Sequence, residues 1–412
     1  MSRKRTEDNY INSIIPPTYR SASYFFKDNQ EVVDGLHTKE RSLGRYGRYN
    51  NPTWEHVEDR LSVLSGAEKS LIFTSGMAAH ITAFLSILKS GDHVVYPSES
   101  YRQIRNVFQV IMPKFGVICH ELSIVDPEKF IQGLQDFEHD IALLHLEMPS
   151  SPHMYVTDLV KVRETVGDDV IITMDSSFSP PPNFYPLKWG VNLAIFSATK
   201  YLSGQGDIMA GVVSGDQDLL EKIQWYRDTT GGIADGEVAF LLNRSLNTLE
   251  MRMEKVNAMG LEVATFLDRH EKVAKVFYTG LESHPHYELA GKYLNGHGAV
   301  ITFELDLSEA DTSKLIEYMK LPYMASNFGA PQTLVEQSTF FTYYEYTEDQ
   351  LVDIGVPRGT VRLALGYVDG AAAIIEDLTQ ALNRIEVRPG HGSNGHAAHA
   401  PDKEKAIGAP VA

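Results

Sequence analysis

Ser197-Ala198-Thr199-Lys200-Tyr201 is the stretch of this chain that says most about its fold. It follows the apolar run Leu193-Ala194-Ile195-Phe196, which is typical of a buried strand, and it precedes a turn that contains Gly204 and Gly206. The sequence therefore predicts that Lys200 lies just past the end of a strand, among hydroxyl groups that can hold an anion.

A second apolar run, Val170-Ile171-Ile172-Thr173-Met174, ends at Asp175. Pyridoxal phosphate (PLP) requires such a lysine and aspartate, because the lysine forms a Schiff base with it and the acid keeps its pyridine nitrogen protonated. The pair therefore indicates PLP as the cofactor and Lys200 as a catalytic residue.

Composition excludes several classes of function. The chain has 412 residues, of which 43% are hydrophobic, so it is long enough for two domains. Its formal net charge of -17 argues against a basic nucleic-acid groove, and no apolar run approaches the roughly 20 residues of a membrane span. The single cysteine favours a cytoplasmic protein, and so does the charged N-terminus, which does not resemble a signal peptide. We predict no metal site.

Short apolar strands alternate with helical patterns through the first half of the chain. Strands are expected at 70–74, 93–96 and 141–146, and a helix at 101–112. This alternation predicts a mostly parallel sheet covered by helices on both faces. Ligands bind such sheets beyond the carboxyl ends of the strands. The residues predicted just past strand ends are Ser75, Tyr101, Ser151, Asp175 and Lys200.

The pattern changes after about residue 235. A long helical stretch at 236–270 is expected to lead into a second unit, whose strands lie at 297–305 and 360–365 and whose helices begin at Ser308 and Ala371. The sequence thus predicts four parts: an extended N-terminal arm (1–45), a large PLP-binding domain (46–250), a C-terminal α+β domain (251–387) and a disordered tail (388–412).

These residues lie in an order that resembles a known family. Over roughly residues 14–385 the chain is similar to the Cys/Met-metabolism PLP enzymes, and most of all to cystathionine γ-synthases of the plant-like branch. The resemblance implies an aspartate aminotransferase-like PLP-dependent transferase fold, with a seven-stranded type of large sheet. It rests on Tyr46-Gly47-Arg48-Tyr49-Asn50-Asn51-Pro52-Thr53, Ser75-Gly76-Met77-Ala78-Ala79, Tyr101-Arg102, Glu147 to Pro152, Asp175, Ser197 to Tyr201, Tyr278 to Pro285, Ser326-Asn327-Phe328-Gly329 and Val361-Arg362-Leu363.

The resemblance assigns a role to each site residue. It implies that Lys200 carries the cofactor and moves protons, that Asp175 pairs with the pyridinium nitrogen, and that Tyr101 stacks on the ring and assists proton transfer. It also implies a homo-oligomer, dimer or tetramer, with shared active sites. The remaining implied residues are Gly76, Met77, Ser197 and Thr199 as a phosphate cup, Tyr46 and Arg48 for the phosphate of a neighbouring subunit, Ser151 and Ser177 at the cofactor, and Arg362 with Ser326 for the substrate carboxylate.

The chain departs from the family pattern near the chemistry. Ser151 stands where the family usually has asparagine, Gln332 stands where a carboxylate is usual, and Ser177 replaces a threonine. The lysine and the ring-holding acid are intact, so PLP chemistry is expected to survive. The departures put the pocket for the γ substituent and the second substrate in doubt.

The predicted function is γ-replacement or γ-elimination on an L-amino acid with a leaving group at Cγ. Trans-sulfuration to cystathionine is one version, and a specialised substrate, such as a 4-halogenated amino acid giving an unsaturated product, is another. A β-lyase of the same family would use the same residues. An alternative from a different functional class is a protein with the PLP-enzyme fold that does not catalyse a reaction. The intact Lys200, Asp175 and Arg362 argue against this alternative.

Overall fold

The computed structural model describes residues 13–38, 46–305 and 307–385. The predicted tail at 388–412 and parts of the predicted arm, 1–12 and 39–45, lie outside the described residues. The strands are β1 Lys69–Phe73, β2 His93–Pro97, β3 Ile118–Leu122, β4 Ile141–Glu147, β5 Ile171–Asp175, β6 Leu193–Ser197, β7 Gly211–Gly215, β8 Val273–Phe277, β9 Val300–Leu305, β10 Tyr323–Met324, β11 Leu334–Gln337 and β12 Thr360–Ala364.

Helices follow most of these strands. They are α1 Asn29–Thr38, α2 Pro52–Ser65, α3 Gly76–Ile87, α4 Arg102–Asn106, α5 Pro127–Gln135, α6 Leu159–Val166, α7 Gln217–Thr230, α8 Gly236–Leu246, α9 Leu249–Asp268, α10 Tyr287–Tyr293, α11 Glu309–Tyr318, α12 Ser338–Phe341, α13 Glu348–Asp353 and α14 Ala371–Asn383. Among the described residues, no helix is both long and apolar enough to span a membrane.

The larger sheet has seven strands in the order β1-β7-β6-β5-β4-β2-β3. Strand β7 is antiparallel to both of its neighbours, and the other pairings are parallel. Since β7 is flanked by β1 and β6, those two strands run in the same direction as each other. The carboxyl ends of six strands therefore meet at one edge, which confirms the predicted α/β fold.

Helices cover both faces of this sheet. On one face, Leu144 and Leu146 of β4 pack in a buried cluster with Phe130 of α5 and Leu159 of α6. On the other face, Leu143 packs with aromatic rings from α3 and from the segment after α4. Because alternate residues of β4 are buried on opposite sides, the strand reads as one continuous apolar run.

The second sheet has five strands in the order β10-β11-β12-β9-β8. Strand β12 is antiparallel to β11 and β9, and its register places Arg362 opposite Glu336. Helices α9 and α14 pack on this sheet through Val263, Ile374 and Leu378, which are fully buried. This mixture of an antiparallel sheet and helices is the α+β arrangement expected for the C-terminal half.

Three predicted elements differ in the structure. Part of the predicted extended arm, α1, is helical, because Asp28 accepts the Glu31 N–H at 2.9 Å and caps its start. The helix predicted at 101–112 is α-helical only through α4 and continues as a π turn and a 3-10 turn, since Pro113 offers no N–H. The stretch predicted as one helix at 236–270 is interrupted at Asn247 and Thr248, where bonds to the third preceding carbonyl replace the α-helical ones.

Candidate active site

Five predicted site positions converge at the carboxyl edge of the large sheet. Ser75 follows β1, Tyr101 follows β2, Ser151 follows β4, Asp175 ends β5 and Lys200 follows β6. All five strands run in the same direction, so their ends lie at one edge. The topology therefore brings together residues that are far apart in the sequence.

Lys200 lies in a tight turn directly after β6, where its N–H donates to the Ser197 carbonyl at 3.1 Å. Its Nζ donates a hydrogen bond to Asn327 Oδ1 and lies 4.7 Å from the centre of the Phe328 ring. Burial, and then the positive charge of Arg362, lower the pKa of Lys200 to about 8, against smaller opposing effects of Glu336 and Asp175. A lysine in this state is a competent nucleophile near neutral pH.

Asp175 is the last residue of β5 and is 8% exposed. Its Oδ1 accepts the Ser177 N–H at 2.9 Å, and its Oδ2 lies 3.3 Å from His80 Nε2. A buried carboxyl group that is hydrogen-bonded through one oxygen, and that is close enough to Lys200 to affect its pKa, is suited to pair with a protonated ring nitrogen.

An anion site is formed where α3 begins beside β6. Ser75 caps α3 by accepting the Ala78 N–H at 3.1 Å, which leaves the N–H groups of Gly76 and Met77 without an intrahelical acceptor. The helix start approaches β6 so closely that a Cβ at Gly76 would lie 3.0 Å from the Ser197 Cβ. Free N–H groups at a helix N-terminus bind phosphate groups well.

The hydroxyl groups around this anion site differ in their engagement. Ser177 Oγ accepts the Ser197 N–H at 2.6 Å, so Ser177 links the ends of β5 and β6. Thr199 Oγ1 accepts the Ala210 N–H at 3.0 Å, which ties the lysine turn to the start of β7. Ser197 Oγ lies beside Gly76, at 3.3 Å from the position that a Cβ would take. Ser197 and Thr199 therefore border the helix start as predicted.

The residues of this edge fit PLP. The fit rests on three observations of the structure: a partly buried lysine of lowered pKa, a buried aspartate close to it, and a helix start where Gly76 lets the backbone approach β6. Lys200 would hold the carbonyl carbon of the cofactor, Asp175 its pyridine nitrogen, and the N–H groups of Gly76 and Met77 its phosphate.

Glu147 organises the opposite wall of the site. Its buried carboxyl group accepts the N–H of Tyr101 at 2.6 Å and that of Ser151 at 3.4 Å. Burial, and then the charge of Asp175, raise the pKa of Glu147 to about 8. The Tyr101 side chain is 51% exposed, and burial of part of it, together with Glu147, raises the pKa of its hydroxyl. Glu147 thus fixes the backbone at both Tyr101 and Ser151.

Arg362 lies on β12, opposite Glu336, and both side chains are buried. Its Nη2 is 3.1 Å from Glu336 Oε1, so the protein itself supplies one anionic partner. The charge of Arg362 acts on the pKa of both Lys200 and Tyr101, which places the guanidinium near each of them. A guanidinium has five N–H donors and can bind a substrate carboxylate beside Glu336.

Residues 343–346 of the C-terminal unit pack against α4 and close one side of the site. Arg102 forms an ion pair with Glu345 and lies 5.0 Å from the Tyr344 ring centre. Arg105 is buried and lies 5.7 Å from the Tyr346 ring centre. Tyr343 is also buried, and its pKa is raised by burial. These contacts join α4 of the large domain to the C-terminal unit.

Three predicted site residues have no described contact with the residues gathered at the carboxyl edge of the large sheet. Ser326 is exposed, and its neighbour Asn327 is the residue that contacts the lysine. Tyr46 is 44% exposed, and Arg48 donates to the Asp228 carbonyl at 2.8 Å and stacks on Tyr46. The role of Tyr46 and Arg48 in a neighbouring subunit stays a prediction.

The comparisons with known proteins agree with this geometry. A family model described as Cys/Met metabolism PLP-dependent enzyme matches residues 1–383. The chain belongs to this family. The chloroplastic cystathionine γ-synthase 1 of Arabidopsis thaliana is 32% identical over 91% of this chain, which spans 66% of that protein's length. The L-methionine γ-lyase of Fusobacterium nucleatum is 32% identical over 92% of this chain and 96% of its own.

Solved structures of the Cys/Met-metabolism family share the fold. The crystal structure of cystathionine γ-synthase from Xanthomonas oryzae pv. oryzae, in complex with aminoacrylate and cysteine, has a TM-score of 0.84 at 26% identity. The match covers 92% of this chain and 95% of that one. The family assignment and the PLP-dependent transferase fold predicted from the sequence are confirmed, and the protein is a PLP-dependent enzyme.

Sequence reasoning missed three residues of the site as functional groups. Glu147 belongs to the family motif Glu147 to Pro152, and its position at the end of an apolar strand was the available signal. His80 occurs four residues into α3, directly after the predicted phosphate cup, where a histidine in an apolar helix was the signal. Asn327 was quoted next to Ser326, and nothing in the sequence decides which of the two faces the lysine.

The pKa of Lys200 predicts how the cofactor-free protein captures PLP. Because only the unprotonated amine attacks an aldehyde, a pKa of about 8 predicts a capture rate that rises about tenfold from pH 7 to 9 and then levels off. Stopped-flow absorption of PLP mixed with the apo-protein measures this profile. A rate that keeps rising steeply toward pH 10 would show an ordinary, solvated lysine.

Proposed function

We propose that this enzyme catalyses γ-replacement or γ-elimination on an L-amino acid that carries a leaving group at Cγ. The single observation that carries the proposal is the buried Lys200 amine, whose pKa of about 8 lets it both take and return a proton. The relatives support the γ position, since those most similar in sequence include cystathionine γ-synthases and methionine γ-lyases.

The work of the chain's own residues follows from their placement. Bound PLP supplies an electron sink for the bond broken at Cα. Asp175 keeps this sink effective by holding the pyridine nitrogen protonated. Lys200 removes the proton from Cα and then one from Cβ, after which the γ group leaves as an anion. The amine alternates between its two forms during these steps, which a pKa near the working pH favours.

Arg362 is the group that we assign to the substrate α-carboxylate. Its buried pairing with Glu336 holds the guanidinium in one orientation, so little side-chain freedom is lost when the substrate binds. The same pairing neutralises the guanidinium while the site is free of substrate. Ser326 is exposed, so we do not assign it a contact with a substrate bound in its own subunit.

The γ-leaving group is expected to lie on the side of Tyr101 and α4. Tyr101 is held by Glu147, and its raised pKa keeps the hydroxyl protonated, so that it can donate a proton to a departing group. Gln332 is exposed and neutral where the family usually has a carboxylate, and Ser151 is shorter than the usual asparagine. These differences favour a substrate other than that of routine methionine biosynthesis.

We further propose that the enzyme works as a homo-oligomer in the cytoplasm. Arg48 and Tyr46 belong to a partly exposed segment of their own subunit, far from any described contact with Lys200, and this supports a role across a subunit interface. The Arg48 guanidinium lies beside the rings of Tyr46 and Tyr49, at 5.2 and 5.1 Å from their centres, and a guanidinium can bind a phosphate group through paired N–H donors.

A product assay tests the proposed function. The purified enzyme is offered O-acyl homoserine, O-phosphoryl homoserine and 4-chloro amino acids, each with and without cysteine, in deuterated water. Products are identified by mass spectrometry and NMR. We expect deuterium at Cα or Cβ of the product and loss of the γ group.

Each outcome assigns a different reaction. Cystathionine formed only with cysteine identifies γ-replacement. Labelled 2-oxobutanoate or an unsaturated amino acid, whether or not cysteine is present, identifies a γ-eliminating enzyme with a specialised pocket. If none of these substrates reacts, and cystathionine offered in a separate assay is cleaved at its Cβ–S bond, the proposal is replaced with a β-lyase.

A further inference from the structure

A buried imidazole lies behind the aspartate that faces the cofactor. His80 of α3 is 2% exposed, and its Nε2 lies 3.3 Å from Asp175 Oδ2. Its Nδ1 lies 2.8 Å from the carbonyl oxygen of Gly76, one turn earlier in the same helix. The ring therefore connects the helix start that borders the anion site with the acid at the end of β5.

The two contacts of His80 determine where its protons lie. A carbonyl oxygen only accepts, so Nδ1 must donate to Gly76. If that were the only ring proton, the lone pair of Nε2 would face a carboxylate oxygen, which is repulsive. The contact with Asp175 is attractive when Nε2 carries a proton as well.

The groups around His80 and Asp175 support this distribution of charge. The ring of His145 packs edge-on against His80 with centres 5.5 Å apart, and burial lowers the pKa of His145 well below its ordinary value. The nearby Glu147 has its pKa raised to about 8, chiefly by burial and then by Asp175. His145 and Glu147 are thus mostly neutral near pH 7.

His145 and Thr173 complete the layer beneath the site. His145 is fully buried, and its Nδ1 lies 2.9 Å from Thr173 Oγ1 on β5. The aromatic ring of Phe84 lies 5.9 Å from His80 and 5.3 Å from His145, centre to centre, and shields both imidazole rings from water. An ion pair in such surroundings is strongly sensitive to the loss of one partner.

We propose that His80 is a positioning residue for Asp175, and that its doubly protonated ring holds the Asp175 carboxyl group ionised and in place against the pyridine nitrogen of PLP. Without the imidazolium, a carboxylate that is 8% exposed and lies close to Glu147 is harder to keep charged. A neutral carboxyl group stabilises a protonated pyridine ring less well. The inference rests on the PLP site of the proposed function, but it does not depend on which amino acid reacts.

Solid-state 15N NMR of the holoenzyme tests the proposal without a substrate. Protein labelled with [15N]histidine is compared with H80Q, whose missing resonances assign the ring nitrogens of His80. We expect both nitrogens of His80 to show the shift of a protonated ring nitrogen. A bare Nε2 in the wild-type holoenzyme overturns the proposal, whatever the variants do.

PLP labelled at its pyridine nitrogen gives the second measurement. In the wild type the nitrogen is expected to show a pyridinium shift. H80L is expected to move that shift toward neutral pyridine and to weaken PLP binding by about tenfold or more. H80Q retains an N–H donor without a charge, so we expect it to recover PLP affinity but not the full pyridinium shift.

These measurements separate the proposal from structural damage and from the proposed function. If H80L keeps the wild-type pyridinium shift, His80 has only a packing role and the proposal is wrong. If H80L fails to fold, as judged by thermal unfolding, H80Q and the wild-type spectrum still decide. An enzyme that fails the product assay for γ chemistry can still give the expected nitrogen shifts, because these require only bound PLP.

Discussion

Lys200→Ala is expected to abolish turnover and the visible absorption of lysine-bound PLP. Among the lysines that the structure describes, Lys200 is the one at the end of β6, where burial and Arg362 lower its pKa. Loss of a residue that both binds the cofactor and moves protons removes activity to below detection. Steady-state assays and absorption spectra of the purified variant measure the effect.

The matched control for this prediction is Lys255→Ala, which removes an exposed lysine from α9. It should keep the wild-type spectrum and turnover. Borohydride reduction of the wild type followed by peptide mass spectrometry should place the cofactor on Lys200. Residual turnover of Lys200→Ala, or labelling of a different lysine, would show that the assignment of the catalytic residue is wrong.

Asp175→Asn is expected to lower kcat/KM by about 100- to 1000-fold while Lys200 still captures PLP. The amide has nearly the shape of the carboxylate, so it preserves packing but cannot carry the charge that keeps the pyridine nitrogen protonated. It also leaves the His80 side chain without its carboxylate partner. Kinetics, together with the nitrogen shift of labelled PLP, measure both effects.

Asp218→Asn on the exposed face of α7 is the control, and we expect it to be neutral. The result that contradicts the prediction is an Asp175→Asn enzyme with more than a tenth of wild-type activity and an unchanged pyridinium shift. In that event another group would hold the ring nitrogen. The buried Glu147, whose pKa is raised to about 8, would then be the first residue to mutate as a candidate for that group.

Much of the fold could be predicted because its signals are local. Short apolar runs that end in Asp175 and precede Lys200 are buried strands of a parallel sheet, and such strands read as continuous hydrophobic stretches in any chain. The exceptions had local causes of another kind. Helix α1 depends on a cap at Asp28, and the helix after Tyr101 loses its regular form near Pro113, where a backbone donor is missing.

The site was predicted unevenly for the same reason. Gly76 and Ser197 lie in segments whose sequence patterns clearly predict a helix start and a strand end, and the sheet brings these two residues into contact. Ser326 and Asn327 are neighbours in a loop without periodicity, so only packing decides that Asn327 faces the lysine. The ion pair between Arg362 and Glu336 depends on the register of two strands, which no local pattern specifies.

By itself the sequence determined the family and the cofactor, and it predicted which lysine and aspartate bind that cofactor, because these depend on residue type and on position relative to a strand end. Only the tertiary structure decided the chemical state of those groups. The lowered pKa of Lys200 comes from burial and from Arg362 on another sheet, and the raised pKa of Glu147 comes from burial and from Asp175 on the neighbouring strand. Such effects act through space over a few ångströms, and residues distant in the chain come that close only when the fold is complete.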